Sequence, residues 1–346
     1  MRTLIRATTT LAALTAAVLT AAPAAAQSDI LLRLRSGSPL GDRFRVDSAS
    51  GFVAKGVLGV GIIPFTGAGE RAMWYPYKAS FRAGGVDGTQ WDDSNTGFYS
   101  FATGNNTTAS GYYSIATGGG TKAQGNYSVA MGQITNADGS GAIALGTRST
   151  ADADYSVAIG QRASTNGHAG AIVFADGSTT DSLEASANNQ FSVRAAGGYR
   201  LYSNATETTG VTMSAGGSSW VVVSDRNRKQ DFMAVDGENL LMRLRSVPVT
   251  TWRYRDEADR TTLHMGPMAQ DWHRAFGFSS DDRTINMSDL DGVNLAAVKA
   301  LEARTAELQA KSARVERLEA QLSETQRRLA ALEAAVLRIQ QQTQRP

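Results

Sequence analysis

Ser224 and Lys229 lie in the stretch Ser224-Asp225-Arg226-Asn227-Arg228-Lys229. A serine hydroxyl is a weak nucleophile at neutral pH. A lysine kept neutral in a dry pocket is one of the few side chains that activates it without a histidine. Such a pair breaks an acyl bond, and its place between a Gly/Ala/Ser-rich repeat and a charged helical tail suggests a chain that cuts itself. Spacing alone carries little, because a serine five residues from a lysine arises by chance in most proteins. What surrounds the pair therefore matters more than the pair itself.

Upstream, the sequence repeats with a fixed period. Ser100-Phe101-Ala102-Thr103-Gly104 returns as Ser114-Ile115-Ala116-Thr117-Gly118, Ser128-Val129-Ala130-Met131-Gly132, Ala142-Ile143-Ala144-Leu145-Gly146 and Ser156-Val157-Ala158-Ile159-Gly160. A sixth copy, Ala171-Ile172-Val173-Phe174-Ala175, comes one residue late. Small residues alternate with larger ones, so each copy is a short strand with one thin face and one bulky face. Ala109, Ala123, Ala137 and Ala151 form a second column, and glycines supply the turns. Two short strands and two turns per repeat make one rung of a β-solenoid. A disordered Gly/Ser linker needs no period.

The recurring S-V-A-I-G pattern resembles the heads of trimeric autotransporter adhesins, the YadA-like repeats. The resemblance implies a left-handed parallel β-roll within a homotrimer. That family ends in membrane β-strands, which this sequence does not show, so its route to the outer membrane is not expected here. Trp74, Tyr75 and Trp91 are expected to seal the first rung rather than to bind a ligand. Phe191-Ser192-Val193-Arg194 and Tyr199-Arg200-Leu201-Tyr202 alternate around Gly197-Gly198 and read as a strand pair leading out of the roll.

Downstream of the apolar run Trp220-Val221-Val222-Val223, several motifs follow Ser224 in order. They are Leu240-Leu241-Met242-Arg243-Leu244, Thr251-Trp252-Arg253-Tyr254, His264-Met265-Gly266-Pro267-Met268-Ala269-Gln270-Asp271-Trp272 and Asp291-Gly292-Val293-Asn294. Together they resemble the C-terminal intramolecular chaperone of phage endosialidases and other tailspikes, a self-cleaving serine peptidase family also found in myelin regulatory factor. The resemblance implies a domain that drives trimer assembly and then cuts the chain. Ser224 is then the nucleophile, Lys229 the general base and Val223-Ser224 the scissile bond. Lys229 would need desolvation, which lowers a fully buried lysine by up to about 3 to 5 pH units. Holding bond and nucleophile in one chain supplies an effective molarity of roughly 10⁵ M or more. Two auxiliary candidates remain. Asp225 suits a cap on the following segment. His264 suits a structural or substrate-orienting role, the alternative being the base of a Ser-His pair.

Leu301, Leu308, Val315, Leu322, Leu329 and Val336 recur every seven residues, with Leu318, Leu332 and Ile339 at the partner positions. Arg304, Lys311 and Thr325 interrupt that second column. This is a coiled coil, and its trimeric state is inferred from the two resemblances.

Composition removes several function classes. Of 346 residues none is cysteine, so burial or oligomerisation has to stabilise the exported chain. The formal charge of +2 is dispersed, which gives no reason to expect nucleic acid. His168, His264 and His273 are scattered, so neither a metal nor a cofactor is expected. Arg2 and Arg6, an apolar run from Leu11 to Ala22 and Ala24-Ala25-Ala26 read as a signal peptide cut after Ala26. No later segment is apolar enough to span a membrane.

The fold expected is mainly β with a C-terminal α region. Residues 1–26 are the signal, 27–95 a β cap, 96–176 the roll and 177–217 a β connector. Residues 218–300 are a small α+β chaperone domain and 301–342 the coil. The function expected is an exported, secreted or surface-bound homotrimeric fibre that cuts itself before Ser224. Its head would bind a glycan or matrix protein. The alternative is an uncleaved trimer with residues 224–346 as a permanent foot. An enzyme acting on external glycans lacks both room and a paired-carboxylate site. Amino-terminal sequencing of the exported protein is expected to begin at Gln27; a start at Met1 would remove the signal-peptide reading.

Overall fold

The computed structural model describes residues 30–36, 41–48 and 51–343. The expected signal peptide, residues 1–26, lies outside the described residues. The chain divides into two units, Met1–Val223 and Ser224–Pro346.

The first unit is built on the repeat. Strands Phe101–Asn105, Ile115–Gly119, Val129–Gln133, Ile143–Thr147, Val157–Gln161 and Ile172–Ala175 stack in parallel, each in register with the same position of the next copy. A second sheet stacks the short strands from Thr108–Ala109 to Leu183–Glu184. Together they form a parallel β-solenoid. The thin face turns inward: Ala102, Ala116, Ala130, Ala144 and Ala158 meet Ala109, Ala123, Ala137 and Ala151 in a wholly buried core. The serines that open each copy also turn inward. Ser100, Ser114, Ser128 and Ser156 each donate to the carbonyl three residues back, at 2.6–2.7 Å, and so close the turn with their own hydroxyls.

One column shows how close the rungs are. Gly132 has φ +123°, and a Cβ there would stand 1.9 Å from the Gly146 carbonyl oxygen. Gly104, Gly118, Gly146 and Gly160 repeat the same conflict with the next rung. Any side chain in this column would push the rungs apart. The bulky face consequently points out, leaving Phe101, Ile115, Met131, Ile172 and Phe174 about two-fifths exposed on a single chain.

At the start of the roll, strands Gly69–Tyr75 and Ser80–Val86 pair antiparallel, and the second runs parallel to the first rung. Arg82 is in register with Ala102 and therefore points into the core, where it is completely buried. Its guanidinium donates to the Ser100 carbonyl (3.1 Å), Ser100 Oγ (2.8 Å) and the Ala109 carbonyl (2.9 Å). Burial lowers its pKa to about 10, so it remains charged at neutral pH. In this way Arg82 plugs the end of the roll and occupies acceptors of the first rung. Trp91 is also fully buried and donates to the Thr107 carbonyl at 2.8 Å, and Tyr75 is buried with its hydroxyl donating to Asp93 Oδ1 at 2.7 Å. Trp74 departs from the expected seal. It is in register with Phe81, whose ring stacks on Phe101 in the outward column, and it stays exposed.

The expected strand pair at the far end is also corrected. Phe191–Arg194 is the last parallel strand of the roll, matched to Ile172–Ala175, and it does not pair with Gly198–Tyr202. Asp176 fixes this arrangement by accepting from Arg194 Nε (2.9 Å) and the Ala196 backbone N–H (2.6 Å). Gly198–Tyr202 instead pairs antiparallel with Gly210–Ser214, which pairs with Val221–Val222. Local alternation reads the same in both cases, and long-range register chose between them. Ahead of the roll, Ile30–Ser36, Gly41–Asp47 and Gly51–Ala54 form a separate antiparallel sheet.

Among its described residues the second unit has three α-helices, α1 (Gly237–Arg245), α2 (Ala269–Phe276) and α3 (Met287–Thr343), and one hairpin. Leu240, Val247, Trp272, Phe276, Val293 and Ala297 form its core. Asp236 caps α1 by accepting from the Glu238 and Asn239 backbone N–H groups. Arg304, which breaks the heptad column, forks onto the Glu238 carboxylate of α1, with Nε 2.7 Å from Oε1. Along α3 all nine heptad side chains from Leu301 to Ile339 are more than half exposed. Among the described residues no helix is long and apolar enough to cross a membrane.

Replacing Arg82 by Met leaves Ser100 Oγ without a donor and takes a second donor from the Ser100 and Ala109 carbonyls, which keep the N–H groups of Phe81 and Gly97, at a combined cost of roughly 1–3 kcal/mol. Arg82→Met is therefore expected to lower the unfolding temperature of the roll by on the order of 10 °C. An unchanged transition in scanning calorimetry would reject the plug.

Candidate self-cleavage site

The first unit ends with Val221–Val222 and Val223; the second opens on Ser224. Between Ser224 and Lys229 the chain makes one short turn, Arg226–Arg228, of the tight helical kind. Asp225 starts it: Oδ1 accepts from the Asn227 backbone N–H at 2.9 Å, and the Asp225 carbonyl accepts from Arg228 N–H at 3.1 Å. The Lys229 N–H closes the turn onto the Arg226 carbonyl at 3.1 Å. One reversal over four residues returns the Lys229 side chain to the residue at which the turn began. Lys229 Nζ donates to Ser224 Oγ at 2.7 Å. That separation lies within the heavy-atom range for direct proton transfer.

Both side chains stand in solvent on the single chain, as does every residue from Trp220 to Asp236. Apolar residues share that exposure, among them Trp220, Val221, Val222, Val223, Phe232, Met233 and Val235. The dry pocket that a neutral lysine requires is therefore not formed by one chain alone. Arg226 lies over the Phe232 ring, with its guanidinium carbon 5.5 Å from the ring centroid.

His264 is placed elsewhere in the second unit. It sits on the hairpin Val249–Trp252 and His264–Pro267, directly opposite Trp252, and stacks on that ring at 4.8 Å. Tyr254 meets Trp252 edge-on at 4.7 Å. His264 Nε2 lies 3.0 Å from Glu257 Oε2. Neither Ser224 nor Lys229 is among its hydrogen-bond partners. The structure thus brings Ser224, Asp225 and Lys229 into one turn and holds His264 in an aromatic cluster with Glu257. Glu257 escaped the sequence reading because only the hairpin register brings it to the histidine. Among the described residues no group of three or more His, Cys, Asp or Glu could hold a metal ion.

With this geometry in place, the comparisons locate two domain types. Residues 224–278 match the family described as chaperone of endosialidase, and the match begins at Ser224. Residues 96–121, 109–133 and 137–163 match the YadA head domain repeat. Comparisons with curated proteins and with solved structures gave no match. The chain therefore carries YadA-type head repeats followed by an endosialidase-type chaperone domain.

The capping geometry has a direct consequence. Asp225→Ala removes the acceptor of the Asn227 N–H, a loss of about 1 kcal/mol for a cap of this kind. Amide hydrogen exchange at Asn227 is expected to quicken about fivefold, while Asp225→Asn keeps most of the protection; equal exchange in all three proteins would show that the cap does not hold the turn.

Proposed function

We propose that the chain is an exported homotrimeric fibre whose C-terminal domain drives assembly and then cuts the Val223–Ser224 bond. The observation that carries this reading is the 2.7 Å contact between Lys229 Nζ and Ser224 Oγ at the first residue of the matched chaperone domain. In the proposed reaction Lys229, once neutral, takes the Ser224 hydroxyl proton as Oγ bonds to the Val223 carbonyl carbon. The carbon–nitrogen bond then breaks, the proton passes to the Ser224 nitrogen, and an ester joins Val223 to Ser224 Oγ. Water hydrolyses that ester, leaving a carboxylate on Val223 and restoring the hydroxyl of Ser224. Because the lysine reaches the serine of its own chain, the reading takes the attack to be intramolecular.

Assembly enters through burial. A single chain leaves the dyad in water, leaves the heptad residues of α3 more than half exposed and leaves the bulky face of the roll uncovered. Three chains packed along the coil and the roll would cover those surfaces. The same event would enclose Lys229 and favour its neutral form. The cut thereby becomes dependent on assembly. The domain limits are proposed as residues 1–26 for the signal, 27–95 for the cap and 96–176 for the roll. Residues 177–217 form the connector, 218–300 the chaperone and 301–342 the coil. Asp225 is assigned the turn and His264 an orienting role within its aromatic cluster. The released head, residues 27–223, would act as a secreted or surface spike.

The full exposure of Ser224 and Lys229 also supports a second reading, in which the bond survives and residues 224–346 stay as a permanent foot. Intact-mass spectrometry separates the two. Wild-type protein is expected to yield a fragment spanning residues 224–346, and both Ser224→Ala and Lys229→Met to leave the chain whole. Dilution below the trimer's dissociation range should slow the cut at least tenfold. A whole wild-type chain, matching Ser224→Ala under all conditions, would reject self-cleavage in favour of the foot.

A further inference from the structure

The roll carries a second periodic feature that neither the core nor the cut requires. Tyr99, Tyr113, Tyr127 and Tyr155 occupy the residue just before the turn-closing serine of their rungs, all with φ between 56° and 59°. Their rings stack: Tyr99 on Tyr113 at 4.8 Å with planes 7° apart, and Tyr113 on Tyr127 at 5.3 Å with planes 5° apart. One ring fills each step of this ladder. At the fourth step the column holds Gly141, so the ladder lacks one ring between Tyr127 and Tyr155. Exposure records the missing neighbour. Tyr99 and Tyr113 are 42% and 48% exposed, whereas Tyr127 and Tyr155, which border the gap, are 63% and 74% exposed.

The gap has the dimensions and chemistry of a site for one ring. Two rungs span about 9.5 Å, twice the spacing of neighbouring strands, which leaves room for a single ring stacked on both tyrosines. Gly141 forms its floor, and the Tyr155 ring leans over it, with Cδ1 3.1 Å and Cε1 3.5 Å from where a Cβ would stand, so a guest turns that ring back toward its own rung. In the preceding position of the same three rungs stand Asn126, Ser140 and Asp154. Asn126 Oδ1 accepts from Tyr112 N–H at 3.0 Å, and Asp154 Oδ1 accepts from Ser140 N–H at 2.8 Å. Those bonds fix both side chains but use only one atom of each. Asn126 Nδ2, Ser140 Oγ and Asp154 Oδ2 have no hydrogen-bond partner among the described residues. A planar aromatic guest would use the two ring faces alone. A saturated ring that bears hydroxyls would use the faces through its C–H groups and the amide, hydroxyl and carboxylate through its oxygens.

The geometry points to this gap as a glycan subsite that takes one pyranose unit between Tyr127 and Tyr155. The inference rests on the head being the exposed binding part of the fibre and is independent of self-cleavage. Uncut protein would still bind sugar, and a failure to bind would leave the mass-spectrometric result unaffected.

Saturation-transfer NMR on the full-length protein tests it, with cellohexaose and chitohexaose as probes and indole as the planar aromatic control. At least one oligosaccharide is expected to bind and to receive saturation on its ring C–H protons. Gly141→Tyr inserts the missing ring, at a position whose φ of +67° is close to that of the other tyrosines. It is expected to weaken binding at least tenfold. Tyr155→Asn removes one wall while keeping a residue that tolerates positive φ, and should weaken it to a similar extent. Ile134→Asn, at another positive-φ position of the roll, should leave affinity unchanged. Circular dichroism melting of each variant separates loss of the site from loss of the fold. Binding of indole alone, no oligosaccharide binding by wild type, or undiminished binding by a folded Gly141→Tyr protein would each overturn the assignment.

Discussion

Backbone contact between successive rungs governs this molecule. A Cβ on Gly132 would stand 1.9 Å from the carbonyl of the next rung, and the inward alanines pack in columns with no exposed surface at all. A core so thin is filled by alanine methyl groups, serines that bond their own turns and the buried threonines Thr107, Thr121 and Thr135, with Val173 in its last full copy. Each rung can therefore bury little apolar area. Most of the hydrophobic stabilisation available to the repeat lies in the residues that the close stacking forces outward. Phe101, Ile115, Met131 and their neighbours stay partly wet on one chain, and the same holds for the leucines of α3. Both halves of the chain thus leave their bulkiest apolar surface uncovered. That shared property, more than any single residue, is the physical ground for reading the protein as part of an oligomer.

The same constraint creates a problem at the ends of the roll. A parallel stack terminates in unpaired carbonyls and an open core, which repeat proteins solve with atypical terminal units. Here the first rung meets a buried arginine, whose donors reach three carbonyls and one hydroxyl without any carboxylate partner. At the other end the Asp176 carboxylate gathers the Ala196 N–H, the Ser178 hydroxyl and Arg194, and these bonds hold its pKa well below the usual carboxylate range. The termini are polar, bonded and specific, whereas the middle is small, apolar and repetitive.

That contrast explains what could be read in advance. Residues whose neighbours lie one period away announce themselves. The alanine and glycine columns repeat every 14 positions because each touches its own counterpart, and the leucines of α3 repeat every seven for the analogous reason. Asp225 was legible as a cap from its type and place alone. Residues whose partners lie at unrelated separations were silent. Arg82 points inward only because a non-repeating strand happens to be in register with the first rung. Arg304 reads as a flaw in a heptad until Glu238 of α1 is brought beside it. Phe191-Ser192-Val193-Arg194 has the alternation of a hairpin strand, yet it closes the roll, since alternation reports a strand and says nothing of its partner. The tyrosine ladder shares the 14-residue beat but was masked by the stronger signal of the motif beside it.

At Ser224 the limit is of another kind. The turn Arg226–Arg228 is local, so sequence and structure can both place Lys229 against Ser224. The environment that would turn this contact into chemistry is not local, because neither side chain is buried by its own chain. A general base made from lysine depends on desolvation more steeply than one made from histidine, whose ordinary pKa already lies near neutrality. On the proposed reading this dependence gives the reaction its timing. A histidine in place of Lys229 would be competent in an unassembled chain and would separate the head from its coil before three chains had met. A lysine exposed in the monomer avoids premature scission, and the same exposed apolar residues that make assembly favourable are available to enclose it. The choice of base and the exposure of the monomer then answer one requirement, that an irreversible step follow a reversible one.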